Sequence, residues 1–124
     1  ARRSVFFRYR DQLKDCVALN WMPEPKWSRS NRWLTACTID DSLVDVTPSD
    51  VITRLSAEGI EARRVWKPMQ MQPMFASCRY FPHEGQSVSE QLFLRGLCLP
   101  SGSNLSDANQ QCVIDAIRAV FSAF

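Results

Sequence analysis

The chain has 124 residues, 45% of them hydrophobic and 23% charged, so it is long enough to bury the core of one domain. Its formal net charge of +2, with arginines spread along the chain, indicates no nucleic-acid partner. No apolar run approaches the roughly 20 residues of a membrane helix, and the amino-terminal segment does not resemble a signal peptide. We therefore expect a single domain over residues 1–124, with no membrane partner.

The first predicted helix covers residues 2–15. Its apolar positions recur at helical spacing opposite a charged face: Val5 or Phe6, Tyr9 and Leu13. No capping residue or proline precedes it. We interpret the missing start signal as an indication that the sequence belongs to a longer chain.

A loop and a strand are predicted next. After the short apolar run Val17-Ala-Leu, residues 20–31 carry two prolines and scattered polar groups, which favours a loop. Residues 32–39 are apolar or small on both faces, and this pattern is typical of a central strand.

The second helix has clear signals at both ends. Thr47 is placed to cap it, Pro48 fits its first position, and Asp50 adds an acid in the first turn. The helix is predicted to run to about Glu58 and to stop at Gly59.

A strand over residues 60–66 leads into a segment bounded by prolines. Pro68 removes a backbone donor and ends the pairing, and Pro73 breaks the chain again. Methionines and glutamines alternate over residues 69–72. From composition alone this segment either lines a pocket or fills a gap, and filling is favoured because methionine adapts to irregular spaces.

Two further helices enclose a short strand. The third is predicted from Val88 to Arg95, with Ser87 as its cap, Glu90 as the capping-box partner and Gly96 at its end. Residues 97–99 form a buried strand closed by a proline. The last helix begins at Ser106 or Asn104, and its apolar stripe is Val113, Ile117, Val120, Phe121 and Phe124.

The order α, β, α, β, α, β, α predicts a two-layer α+β domain with four helices and a sheet of about three strands, mostly antiparallel. The five cysteines are odd in number and widely spaced, so we expect neither a metal site nor a disulfide framework, and we place the protein in the reducing cytoplasm. Three of them have apolar neighbours and are expected to be buried thiols: Cys37, Cys98 and Cys112.

The residues assemble no known catalytic motif. His83, in a polar loop, is more simply a solvated histidine than a general base. Lys67 beside Trp66 fits a desolvated nucleophile, but a lysine extending into solvent from a strand end is the favoured alternative.

Three segments taken together resemble a known family. They are residues 59–75, residues 89–105 and the stretch Ser30-Asn-Arg-Trp-Leu34, and they occur in the family's order and spacing. The sequence is similar to the C-terminal region of the DegT/DnrJ/EryC1/StrS family, the pyridoxal phosphate-dependent sugar aminotransferases.

This resemblance implies a fold-type I aminotransferase that moves an amino group to a nucleotide-linked keto-sugar. In that family the cofactor lysine, the acid facing the pyridine nitrogen and most phosphate contacts lie in a large N-terminal domain, which these residues lack. We therefore expect pyridoxal phosphate and a homodimer for the full-length protein. For this chain alone we expect no catalytic residue, no cofactor-binding residue and no activity.

The resemblance also points to substrate-facing residues. The family's segment between strand and helix lies near the mouth of the active site, which makes Trp66, Lys67, Gln70 and Gln72 the substrate-binding candidates. Family members often carry histidine where this chain has Gln70; if that position contacts substrate, we expect either a different sugar specificity or a relaxed site. One alternative stays open, a free-standing, non-catalytic α+β module that binds a small ligand or a protein partner.

Overall fold

Four helices and a four-stranded antiparallel sheet make up the structure, a computed structural model that describes residues 1–123. The helices are α1 (Arg2–Gln12), α2 (Pro48–Ala57), α3 (Val88–Arg95) and α4 (Asp107–Ser122). The strands are β1 (Leu19–Trp21), β2 (Thr35–Ile39), β3 (Arg63–Arg64) and β4 (Gly96–Leu99). Short 3₁₀ turns cover Met69–Met71 and Pro73–Phe75. The predicted α+β class is confirmed.

The sheet has the order β1-β2-β4-β3, and every neighbouring pair is antiparallel. The prediction of about three strands missed β1, which pairs Leu19 with Ile39 and Trp21 with Cys37. A strand of three residues is too short to show alternation, and two of its residues lay in the predicted loop. The nearby Pro23 and Pro25 also favoured a loop over a strand in this region.

One face of the sheet carries the core. In the register, Cys37 lies opposite Leu97 and Thr35 opposite Leu99, so these side chains share a face. That face packs against the inward sides of α1, α2 and α4 in one buried cluster. The predicted stripe of α4 is confirmed at its buried positions, Val113, Ile117 and Val120; Phe121 is partly buried against the cluster. Phe124 lies outside the described residues.

Two strands are shorter than predicted because their ends bond elsewhere. Strand β2 begins at Thr35, since the Arg32 amide donates to Ser30 Oγ and Arg32 adopts a left-handed backbone with φ of 50°. The strand predicted over residues 60–66 reduces to β3. The Ile60 amide is used by the end of α2, where it donates to the Leu55 carbonyl at 2.9 Å.

The helix ends show which local signals hold. The capping box of α2 is formed by Thr47 and Asp50, and Gly59 follows the helix with φ of 71°. Helix α3 has the predicted bounds. Helix α1 stops at Gln12 rather than at residue 15, because the Cys16 amide donates to the Leu13 carbonyl as the chain turns toward β1.

Gly96 ends α3 as predicted: it is the C-cap of that helix, it has an extended backbone with φ of −95°, and it is also the first residue of β4. A side chain is excluded there by packing: a Cβ would overlap the Leu92 carbonyl oxygen and lie 2.8 and 2.9 Å from the methyl groups of Val65.

Two of the three cysteines predicted to be buried are buried, and the third is exposed. Cys37 and Cys98 are buried as expected, and burial raises the pKa of the Cys37 thiol to about 12. Cys112 is exposed, which corrects the prediction, because it lies on the side of α4 opposite the buried stripe. Within residues 1–123, all five cysteines are free thiols, and no helix has the length and apolar character needed to cross a bilayer.

Candidate functional site

The face of the sheet that turns away from the core is open and forms the floor of a groove of about 700 Å³. Side chains that alternate with the core positions lie on this floor: Asn20, Ala36 and Thr38. The segment after β3 forms one wall and α3 contributes to another. Apolar groups dominate the lining, which is Trp21, Met22, Pro23, Cys37, Val65, Trp66, Lys67, Pro68, Met69, Gln72, Ser89 and Leu92 beside the floor residues.

Three of the four predicted site residues come together at this groove. Trp66, Lys67 and Gln72 line it, and all three belong to the segment that Pro68 and Pro73 interrupt. Trp66 keeps 68% of its surface exposed, so its indole is available to a ligand. The volume lies within the range of small-molecule sites, roughly 300–1,000 Å³.

Gln70 does not line the groove. Its amide nitrogen donates to Ser89 Oγ at 2.9 Å, to Ser87 Oγ at 3.2 Å and to Glu90 Oε1 at 3.4 Å. These groups form the N-terminus of α3, so Gln70 ties the proline-bounded segment to that helix. Only one of the two hydrogen bonds of the predicted capping box is present: Ser87 Oγ accepts from the Glu90 amide. The Glu90 carboxylate accepts from the Gln70 side chain instead.

The Gln72 side chain bonds within the proline-bounded segment. Its amide nitrogen donates to the Lys67 carbonyl at 3.3 Å and contacts Met69 Sδ at 3.8 Å. With the tight turns over Met69–Met71 and Pro73–Phe75, these bonds fold the segment into a compact wall. Three of its backbone amides also bond within the segment: Met71 donates to the Pro68 carbonyl, Gln72 to the Met69 carbonyl and Phe75 to the Gln72 carbonyl.

Sequence reasoning missed Trp33 as a partner of Trp66. The two indole rings lie 6.3 Å apart between centroids with a tilt of 32°, and both are more than half exposed. Together they line a second hollow of about 510 Å³ beside the groove. The available signal was indirect, because Trp33 lies in one of the three family-like segments but far from Trp66 in sequence.

A partly buried ionic network stabilises the loop between β1 and β2. The Glu24 carboxylate accepts hydrogen bonds from both terminal nitrogens of Arg3, at 2.6 and 3.0 Å, and from the Ser30 amide at 2.6 Å. Arg32, only 5% exposed, lies 3.6 Å from the same carboxylate and donates to the Met22 carbonyl at 2.8 Å. Its guanidinium also stacks over the Phe6 ring, 3.8 Å from the centroid.

This network sets the charge of Glu24. The hydrogen bonds from the Arg3 side chain and then from the Ser30 amide lower the pKa of the Glu24 carboxyl to about 2, and the nearby charge of Arg32 acts in the same direction. The carboxylate is therefore ionised at neutral pH. The loop begins near Met22, which lines the groove, and ends near Trp33, which lies beside Trp66. The network therefore helps to position both residues.

The groove by itself lacks the set of groups that holds pyridoxal phosphate. Lys14, Lys26 and Lys67 are all exposed, and the groove that contains Lys67 is lined by no carboxylate that could face a pyridine nitrogen. Over residues 1–123 there is likewise no cluster of three metal-ligating side chains. The arrangement can bind and shape a ligand through apolar contact, an indole, an amide and one ammonium group.

The fold and the groove define a small α+β domain with an open groove beside the proline-bounded segment. Comparison with known proteins identifies the family. The model of the DegT/DnrJ/EryC1/StrS aminotransferase family matches residues 1–118, and the chain belongs to that family. The resemblance inferred from the sequence is thus confirmed.

Known relatives are much longer than this chain. EpsN of Bacillus subtilis strain 168, assigned as a pyridoxal phosphate-dependent aminotransferase, is 44% identical over 121 residues, which are 97% of this chain and 30% of EpsN. An aminotransferase of the same family from Brucella abortus is 28% identical with a TM-score of 0.75, over 95% of this chain and 30% of its own.

The fold recurs at lower identity. PseC of Helicobacter pylori, an aminotransferase involved in the biosynthesis of pseudoaminic acid, superposes with a TM-score of 0.81 at 18% identity. The match covers 99% of this chain and 32% of PseC. The chain therefore spans about a third of the length of these relatives.

Proposed function

We propose that the chain is the C-terminal small domain of a pyridoxal phosphate-dependent aminotransferase that acts on a nucleotide-linked keto-sugar. Family membership over residues 1–118 and the 30% share of EpsN support this proposal. A large N-terminal domain would supply the cofactor lysine, and the full-length enzyme would be a cytoplasmic homodimer. On its own, this chain has no transaminase activity.

The observation that carries the proposal is the meeting of Trp66, Lys67 and Gln72 on one groove wall. Each has a chemistry that suits a nucleotide-linked sugar. An exposed indole offers a stacking surface, the Lys67 ammonium pairs with a phosphate as a point charge, and the Gln72 amide offers further hydrogen bonds. These residues bind and orient substrate, while the reacting groups come from the large domain.

Gln70 has a different part in this proposal. Its amide nitrogen is already used at the N-terminus of α3, so it contacts substrate only through its carbonyl oxygen or after a rearrangement. We therefore rank it below the three groove residues. A Gln70→His change in a family-length enzyme tests it: unchanged affinity and rate for the sugar would remove it from the substrate site.

The inactivity of the isolated chain is tested by titration with pyridoxal phosphate, followed by borohydride reduction and mass analysis. We expect slow labelling of all three exposed lysines in proportion to cofactor concentration, and no amino transfer from glutamate. A Lys67→Gln variant is the matched control, because it should lose one labelled site and nothing else. Saturable labelling of one lysine together with turnover would contradict the proposal.

The substrate role is tested in a chimera in which this chain replaces the matched part of EpsN. Lys67→Gln should weaken binding of UDP or TDP, measured by calorimetry, by about tenfold, as expected for one lost phosphate contact of about 1.4 kcal/mol. Lys26→Gln is the control, since Lys26 is also exposed and does not line the groove. Equal affinities of the two variants would exclude Lys67 from the site.

A further inference from the structure

We propose that Arg64 is a positioning residue for substrate binding: it fixes one end of α3 while Gln70 fixes the other, and together they set how that helix faces the proline-bounded segment across the groove. Arg64 does not line the groove itself. It acts through α3, which contributes Ser89 and Leu92 to the lining. The link to substrate rests on the proposed function, whereas the bonds to α3 do not depend on it.

The C-terminal end of α3 is bound by the Arg64 side chain. Its Nη1 donates to the Phe93 carbonyl at 3.3 Å and to the Leu94 carbonyl at 3.2 Å, and its guanidinium carbon lies 5.7 Å from the centre of the Phe93 ring. Carbonyls in the last turn of a helix have no partner within the helix, and the helix dipole favours a positive charge there. Arg64 therefore satisfies groups that α3 alone leaves unpaired.

A third bond of the same side chain reaches α2. Arg64 Nη2 donates to Ser49 Oγ at 2.8 Å, in the first turn of that helix. A guanidinium presents its N–H groups in one rigid plane, so bonding to two helices restricts its position. Helix α2 is fixed by the core, where its Val51 and Leu55 are buried. Arg64 thus connects α3 to an element that packing already holds in place.

Helix α3 depends on such polar contacts because packing does little to fix it. It has eight residues and none of them is buried, and so short a helix has little stability of its own. Its N-terminal end is bound by the Gln70 amide. Its last residue, Arg95, pairs with Asp41, but both side chains are exposed and such pairs contribute little. We therefore assign the C-terminal end chiefly to Arg64, which is half-buried and makes three bonds.

The two residues that fix α3 belong to one short stretch of chain. Arg64 is the last residue of β3, and Gln70 lies in the 3₁₀ turn over Met69–Met71. Between them are Trp66 and Lys67, which line the groove. A shift of α3 relative to these two side chains therefore requires that the bonds of Arg64 or of Gln70 break.

Hydrogen–deuterium exchange of the 124-residue chain tests the contact with α3. Arg64→Met removes all three bonds, so it should speed amide exchange in the last turn of the helix, residues 92–95, at least tenfold. Arg63→Met is the matched control, because within residues 1–123 the side chain of this neighbouring arginine bonds only to Glu61. It should leave exchange in α3 within twofold of the parent. Unchanged exchange in Arg64→Met would overturn the proposal.

Arg64→Lys guards against misfolding of the methionine variant. Lysine keeps the positive charge at the end of α3 but lacks the planar set of donors, so exchange in the last turn should rise about threefold. If Arg64→Met does not fold, this variant decides the test. Exchange equal to the parent's would then contradict a role for the Arg64 side chain in fixing the helix.

The positioning role is measured in the EpsN chimera by calorimetric titration with UDP or TDP. Arg64→Met should raise the Kd at least threefold and leave the binding stoichiometry unchanged, because it displaces one wall of the groove in a folded protein. A variant that only lowers the fraction of folded protein would reduce the stoichiometry and leave the Kd unchanged, and that result would overturn the proposal. Arg54→Met is the control, since Arg54 pairs with Glu58 on α2 and does not line the groove.

The outcomes separate this proposal from the proposed function. If the parent chimera binds UDP or TDP, and Arg64→Met speeds exchange in α3 without changing the Kd, the positioning role fails and the proposed function stands. If the parent chimera binds neither UDP nor TDP, the proposed function fails. Exchange in the 124-residue chain then still decides whether Arg64 fixes α3.

Discussion

The side-chain amide of Gln70 donates a hydrogen bond to the hydroxyl of Ser89 at 2.9 Å, and this bond joins the proline-bounded segment to the first turn of α3. The same amide reaches Ser87 Oγ, which also lies 2.9 Å from the Tyr80 hydroxyl. Ser87 in turn caps α3. One amide group therefore determines how a wall of the groove sits against the helix.

Replacing Gln70 by leucine should loosen that wall without unfolding the protein. The hydrogen bonds are partly exposed, so the free energy of unfolding should fall by only about 1 kcal/mol. The local effect should be larger, because the segment has no buried residue in either of its turns. We expect the amides of Met71 and Gln72 to exchange with deuterium at least tenfold faster.

Gln72→Leu is the control for this experiment. Gln72 lies two residues away and its amide bonds only to its own segment, at Lys67 and Met69. It should leave the deuterium exchange of α3 unchanged, whereas Gln70→Leu should raise exchange at the N-terminus of α3. Identical exchange maps for the two variants would show that Gln70 does not hold the helix.

The core prediction concerns Ile117. This residue is 1% exposed and belongs to the cluster between α4 and the sheet. Truncation to alanine removes three carbon atoms and leaves a cavity, so Ile117→Ala should lower the free energy of unfolding by about 2–5 kcal/mol. Urea denaturation measures this. Cys112→Ala, on the exposed side of the same helix, should change it by less than about 0.5 kcal/mol.

Features with a local cause were predictable from sequence. The capping box of Thr47 and Asp50, the left-handed Gly59 and the bounds of α3 each depend on residues a few positions apart. The core face of α4 was also predictable, because its apolar residues recur at helical spacing.

Features that depend on distant partners were not predictable. Strand β1 exists because Leu19 pairs with Ile39, and its three residues carry no pattern of their own. The family resemblance made Gln70 a substrate-facing candidate, but nothing in the sequence indicates its hydrogen bond to Ser89, nineteen positions away. The candidate site was therefore predicted as a segment, while the orientation of each side chain in it required the structure.

Stability should depend on pH through Glu24. Its pKa in the folded protein is lowered to about 2 by the Arg3 and Ser30 hydrogen bonds, below the 4.5 of a free glutamate. A lowered folded-state pKa contributes stability that is present above pH 4.5 and is lost as the pH falls toward 2. Glu24→Gln should thus be less stable than the parent at pH 7, and the difference should shrink between pH 4.5 and 2.

Urea midpoints of the two proteins across this range measure the effect. Asp40 and Asp50 also have lowered pKa values, through hydrogen bonds from Ser42 and Thr47, so the parent's own pH profile combines several groups. The difference between parent and Glu24→Gln isolates Glu24. A difference that stays constant from pH 7 to pH 2.5 would show that the carboxylate's charge does not stabilise the loop.

Gly96 gives a prediction about packing at the junction of α3 and β4. A Cβ at this position would overlap the Leu92 carbonyl oxygen and crowd both methyl groups of Val65, so Gly96→Ala must displace either the end of α3 or the residue that follows β3. Overpacking of this kind costs about 1–3 kcal/mol.

In Gly102→Ala the nearest contact would be the side-chain oxygen of Asn104, which is exposed and can move away. Urea denaturation should therefore show a clear loss for Gly96→Ala and a smaller one for Gly102→Ala. Equal losses would mean that the close approach of Val65 to Gly96 does not constrain the fold.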